Sequence, residues 1–192
     1  MDSKRKSNFG VIEFKSISRG ISVTDEMVKS AEVNIVLATT LCPGKYLTII
    51  RGKVSAVENA IAVADRLGGR HVFSSQVISG VNLKVIKAIG GSMVSAQIGA
   101  IGIIESMQMA NLISSADICV DTAEVEFIDF RLAKGCGAGS FYIIVGNLSS
   151  VTEAVRNATS FLGRNGSLIA YRVIPNPDRQ VWRWLRSSLC RC

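Results

Sequence analysis

Five thiols and a single imidazole are the side chains of this 192-residue chain with the widest chemistry open to them. Cys42 stands in the stretch TLCPGKYLTIIRGKV, in a Gly-containing turn directly ahead of a strand-like run. A turn tip is a poor place for a cysteine that only packs, because a free thiol normally behaves as a small buried hydrophobe. Reactive chemistry, metal ligation and an accidental thiol all stay open at that position. Cys136 occupies a second such turn, GCGAGS, ahead of FYIIVG. Cys119 falls in a helix-patterned run, ADICVDTAEV, on a face that packing explains. Cys190 and Cys192 form a C-x-C pair in a chain-terminal segment, where a spare tail competes with zinc or cluster ligation. His71 begins HVFSSQV and reads as an edge residue at a strand start, with no Ser and Asp placed to make a triad. Neither CPGK nor GCGAGS completes the GxxxxGK[ST] pattern of a phosphate-cradling loop. No acid–base constellation is visible, so the chain reads as a protein without catalysis of its own.

The elements that must carry these residues are written twice. FGVIEF, from Phe9, matches IGIIES, from Ile101, and TDEMVKSAEV, from Thr24, matches ADICVDTAEV, from Ala116, both 92 residues on. CPGKYLTIIRG, from Cys42, matches CGAGSFYIIVG, from Cys136, 94 residues on, so the second copy has two extra residues ahead of its turn. Cys119 thereby corresponds to Met27. In each copy an apolar strand (Gly10 to Phe14 in the first) leads to a helix ending near Ala31. VNIVLATTL then runs to the cysteine turn, and YLTIIRG leaves it. Ser55 and Glu58 have capping-box spacing for a second helix with apolar positions Val57, Ala60, Ile61, Ala64 and Leu67. The same positions in copy two are Val151, Ala154, Val155, Ala158 and Phe161. Gly68 and Gly69 stop the first of these helices, and HVFSSQVI supplies a fourth strand. The order is β-α-β-β-α-β, a ferredoxin-like split βαβ, giving an α+β chain of two tandem domains, 1–96 and 97–192. GVNLKVIKAIGGSMVSA reads as the connector. Trp182, Trp184, Leu185 and Leu189, opposite Arg179, Arg183 and Arg186, form an amphipathic segment, either packed on its own domain or free to touch cargo or a neighbour.

Composition narrows the classes further. The net charge of +7 is spread along the chain, no helix carries a continuous basic stripe, and aromatic residues are too sparse for a base-stacking platform. We expect no nucleic-acid partner. No apolar run reaches about 18 residues, so no membrane span is expected either. MDSKRKSNFG lacks an apolar h-region, and an odd cysteine count without a secretion signal argues against a disulfide framework. The expected compartment is the cytoplasm, and a hydrophobic share of 48% leaves apolar surface for assembly.

FGVIEF, DEMVKSAEV, the glycine turn ahead of YLTIIRGKV, and VIPNPD resemble the bacterial microcompartment shell proteins, from about Phe9 to about Trp182 and in both copies. More narrowly, SISRG, DEMVKSAEV and LCPGKY are similar to the tandem-domain iron–sulfur shell proteins of propanediol-utilisation compartments. The resemblance implies a homotrimer whose six domains mimic a hexameric tile, set in a microcompartment shell within the cytoplasm. It implies that the turn between the second and third strands faces the threefold axis. Pro43, Gly44 and Lys45 would then line a pore with Gly135, Cys136 and Gly137 of the second copy. It assigns Cys42 as the metal ligand for one iron–sulfur cluster per trimer, of 4Fe-4S type, with one iron left to a non-protein ligand. Pro43 and Gly44 would hold the sulfur inward, and Lys45 would bring positive charge to the cluster. Cys136 is read as a bystander near the pore, the alternative being a fourth ligand from one subunit that breaks the threefold symmetry: its flanks are small and its loop longer, whereas Cys42 sits on a shorter, proline-held turn. The implied roles are electron transfer across the shell or transport of the cluster through it. The implied partners are neighbouring shell proteins and encapsulated redox enzymes. Lys29 corresponds to the family's tile-edge lysine, its counterpart in copy two is Asp121, and Asn176 replaces the arginine of the family's IPRP motif, so the edges are mixed. Three alternatives accompany this reading: a shell tile with a metabolite-selective pore and no cluster, a trimeric ferredoxin-like small-molecule sensor, and a redox enzyme subunit.

Overall fold

The computed structural model describes residues 6–91, 97–132 and 139–188, and they fall into two compact units that change over between Ile86 and Lys87. The first unit contains β1 (Lys6–Phe14), α1 (Ile17–Ser30), β2 (Val33–Leu41), β3 (Lys45–Gly52), α2 (Val54–Gly68) and β4 (Val72–Asn82). α3 (Leu83–Ile89) follows directly and spans the changeover. The second contains β5 (Ala100–Ser106), α4 (Met109–Thr122), β6 (Glu126–Arg131), β7 (Ser140–Gly146), α5 (Leu148–Arg164), β8 (Leu168–Ile174) and α6 (Arg179–Ser188). Each unit holds one four-stranded antiparallel sheet, ordered β2-β3-β1-β4 and β6-β7-β5-β8. This is the ferredoxin-like order, in which β1 and β2 run alike with β3 between them. Even the irregularities repeat. The β2–β3 register shifts between Ile35 and Leu37, and the β6–β7 register between Phe127 and Asp129.

Alternation along the strands divides each sheet into two faces. In the first unit Ile12, Phe14 and Ile50 meet Val23 and Met27 of α1 and Val57, Ala60, Ile61 and Ala64 of α2 in one dry cluster. Each large aliphatic side chain fully buried there contributes about 1.5–3 kcal/mol. Gly10 lies at the centre of this face because a Cβ there would fall 2.8 Å from Ile61, and Gly102 does the same under Val155 at 2.6 Å. In the second unit the opposite face, with Ile101, Ile143 and Val145, is covered by Trp182 of α6, with Leu185 beside it.

Three expectations are corrected. Ser55 and Glu58 do not cap α2: the helix starts at Val54, so Ser55 is already inside it, and Lys53 occupies the cap without a side-chain bond. The cap in copy two is Asn147, whose side chain accepts from the Ser150 N–H at 2.8 Å. The fifth apolar position of the second helix is only half-buried in both copies (Leu67 and Phe161), and in copy two Leu162 takes the deep site. The supposed connector is not a plain link: its residues 80–89 close β4 and form α3, where Val85 and Ala88 are buried. The Gly68–Gly69 stop is present, with Gly69 at φ +50 closing α2.

Candidate functional site

The Cys42 turn is short because its stems are tightly paired. Leu41 of β2 stands opposite Lys45 of β3, leaving only Cys42, Pro43 and Gly44 to reverse the chain. The Cys42–Pro43 peptide is cis, and Gly44 has φ +73, a left-handed conformation that glycine adopts without a Cβ clash. Leu41 is buried, whereas Cys42, Pro43 and Gly44 are all exposed. The Cys42 thiol is free. The sequence therefore buries one stem and presents the thiol on a tip.

Lys45 is turned back from that tip onto the sheet. Its Nζ lies 3.8 Å from Oε2 of Glu13 and 3.3 Å from the centre of the Phe73 ring. The second Glu13 oxygen, Oε1, accepts a bond from the Ser74 hydroxyl at 3.1 Å. Burial pushes the Glu13 carboxyl above the usual carboxylate range, and Ser74 and Lys45 pull in the other direction. Lys45 thus enters the turn region as half of an ion pair and not as a lone charge. Sequence reading passes over Glu13, although a carboxylate inside the apolar run FGVIEF is the available signal: a buried charge demands a partner.

The remaining thiols separate clearly. Gly135, Cys136 and Gly137 lie outside the described residues, as do Cys190 and Cys192. Cys119 is fully buried, its sulfur 3.3 Å from the Tyr142 hydroxyl and 3.5 Å from the Ala154 carbonyl oxygen, to which the thiol donates. Burial pushes its pKa up to about 12, so at neutral pH it is a packed thiol and neither nucleophile nor ligand. Among the described residues no three His, Cys, Asp or Glu side chains gather closely enough to hold a metal ion. A ligand set built on Cys42 must therefore draw on more than one chain, or on residues beyond those described.

Of the two edge positions, Lys29 is exposed near the end of α1, paired with Asp25 one turn back and 4.0 Å from Glu26. Asn176 is exposed in the bend between β8 and α6. His71 ends the 3-10 turn Gly69–His71 before the edge strand β4, and its carbonyl accepts from the Lys15 N–H at 2.8 Å. The C-terminal amphipathic segment packs on its own unit through Trp182, while Trp184 is 61% exposed. No helix among the described residues is long and apolar enough to cross a membrane.

With this geometry established, similarity to known proteins gives it a context. The BMC domain family matches residues 8–81 and again 100–177. The chain is 35% identical over 174 residues to bacterial microcompartment shell protein PduT of Citrobacter freundii, covering 91% of this chain and 95% of that one. It is 29% identical over 182 residues to carboxysome assembly protein CcmO of Synechococcus elongatus, covering 88% of this chain and 64% of the relative. A crystal structure of a microcompartment protein from Desulfitobacterium hafniense is similar with a TM-score of 0.89 at 32% identity, covering 93% of this chain and 99% of that one. One domain family fits both halves of the repeat, and the relative matched over nearly its whole length is a shell protein; the chain belongs to the BMC-domain family, as a tandem-domain bacterial microcompartment shell protein.

Proposed function

We propose that this shell protein closes into a homotrimer, a six-domain ring, in which three Cys42 thiolates hold one iron–sulfur cluster at the central pore. The observation that carries the reading is the Cys42 turn: a free, exposed thiol on a three-residue tip whose Leu41 stem is buried. Thiolate is the donor such clusters take, and one ligand per chain from three chains leaves one iron for an outside ligand, so the donor chemistry fits. When bound, the group takes up and releases a single electron. The protein's part is to present the thiols, to hold each on a short turn, and to keep Cys119 out of the ligand set by burying it. Cys136 is assigned no ligand role. Ordering Cys42 in advance lowers the entropic cost of ligation.

The ring would sit in a microcompartment shell beside other shell proteins, with Lys29 and Asn176 at its edges, and would connect redox chemistry inside to the cytoplasm by passing electrons or the cluster itself. The test is anaerobic purification followed by native mass measurement. A mass of three chains, brown colour, and a paramagnetic signal on reduction are expected. A stable monomer removes the ring. A colourless trimer that stays iron-free after reconstitution removes the cluster and leaves a tile with a selective pore.

A further inference from the structure

We propose that Glu13 and Lys45 are positioning residues for the Cys42 turn, forming with Ser74 and Phe73 a clamp that pins the second stem of the turn to the sheet. Its purpose, though not its existence, rests on Cys42 being the cluster ligand. Strand alternation places Glu13 on the face of Phe9 and Val11, both buried, and Glu13 itself is 4% exposed. A carboxylate is costly there unless it is bonded. It has two partners: it accepts a hydrogen bond from the Ser74 hydroxyl at 3.1 Å and forms an ion pair with the Lys45 ammonium at 3.8 Å, and the Phe73 ring closes over the same ammonium. Ser74 stands opposite Glu13 in the β1–β4 register, so the partners come from both neighbouring strands. Lys45 is the first residue of β3, and Leu41, across from it, is buried. Both stems of the tip are therefore fixed, one by the core and one by the clamp.

The second copy supplies the internal control. Glu105 stands where Glu13 does, but it faces Ala170 in the register and Gly139 takes the place of Lys45. Ile169 occupies the position of Phe73, and a Cβ on Gly139 would lie 3.1 Å from its Cδ1. The same sheet forms with neither the lysine nor the serine, so the fold does not require the clamp. The copies differ as well in the turn that the clamp adjoins, CPG in the first against the longer GCGAG segment in the second.

The experiment is peptide-level hydrogen exchange of the full-length metal-free protein, followed by anaerobic iron and sulfide loading, for wild type, Glu13→Gln, Lys45→Met and Lys45→Arg. Glu13→Gln keeps a bond to Ser74, and Lys45→Arg keeps a cation for Glu13. Exchange across Leu41–Tyr46 should rise about tenfold in Glu13→Gln and Lys45→Met, the opening expected when a charge-assisted contact is lost. It should stay within about twofold of wild type in Lys45→Arg. Exchange in the second-copy turn should not change. After loading, Glu13→Gln and Lys45→Met should broaden the reduced-state paramagnetic signal, and Lys45→Arg should keep the wild-type line shape. Wild-type exchange in the Cys42 turn of both Glu13→Gln and Lys45→Met overturns the clamp even if iron binds. Failure of the wild type to bind iron removes the cluster reading, while the exchange result still decides the clamp.

Discussion

In the first copy, Thr24 of α1 sets its hydroxyl 2.6 Å from that of Thr48 on β3 and donates to the Gly20 carbonyl at 2.7 Å. At the matching place in the second copy, the Tyr142 hydroxyl stands 3.1 Å from Ser115 and 3.3 Å from Cys119, and its ring packs edge-on to Phe127 and stacks on Phe130. Thr48 and Tyr142 are counterparts in the repeat, as are Met27 and Cys119, Ile35 and Phe127, and Ala38 and Phe130. One copy fills the space with a small residue on the strand and a large one on the helix, and the other reverses the two. Both satisfy every buried hydroxyl named here, which is the condition a core polar group must meet. The frame is thus indifferent to which residue brings the bulk. It is not indifferent at the turn, where only the first copy has Lys45, Ser74 and a thiol followed by proline.

The largest effects should appear where the copies exchanged bulk. Tyr142→Ala should destabilise the second unit by about 4 kcal/mol, the cost typical of removing a buried aromatic ring. Urea unfolding separates the units, because both tryptophans lie in α6 and their fluorescence reports the second unit alone, whereas far-ultraviolet circular dichroism reports both. Next comes the cover on the sheet's other face. Trp182→Ala should cost about 3 kcal/mol by circular dichroism, and the exposed Trp184→Ala less than about 0.5 kcal/mol.

A smaller difference should emerge in alkali. Cys119 titrates at about 12 in the folded chain against 9.0 for an ordinary thiol, so the unfolded chain loses this proton first. Its contribution is complete below pH 9.0 and declines as pH rises towards 12. The buried Tyr142 hydroxyl, also held well above its usual range by burial and by Cys119, acts in the same direction. By about pH 10.5 the second unit should have lost about 2 kcal/mol relative to neutral pH, and Cys119→Ala should flatten this fall. The Thr24–Thr48 and Met27 site of the first unit has no such group. The smallest expected effect is Thr48→Val, about 1 kcal/mol in the first unit, because Thr24 keeps its bond to Gly20.

Local and periodic features are legible in the sequence. The repeat, the buried face of α2, the glycine stop and the packing role of Cys119 all follow from spacing within one element or from matching one copy to the other. The S-x-x-E pattern at Ser55 misleads because the same residues also suit a first helical turn, and nothing local marks Lys53 as the true boundary. α3 escapes notice because a seven-residue helix has too few turns to show periodicity. The clamp is illegible for another reason. Glu13 and Ser74 are 61 residues apart and meet only through the strand register, which the sequence does not state.

The decisive measurement is iron and acid-labile sulfide per trimer in Cys42→Ser and Cys136→Ser, prepared anaerobically beside the wild type. We predict about four iron atoms per trimer in wild type and in Cys136→Ser, as a 4Fe-4S cluster requires. Cys42→Ser should give none while its native mass remains that of three chains. Full iron in Cys42→Ser, or its loss in Cys136→Ser alone, would contradict the assignment of the cluster to the Cys42 turn.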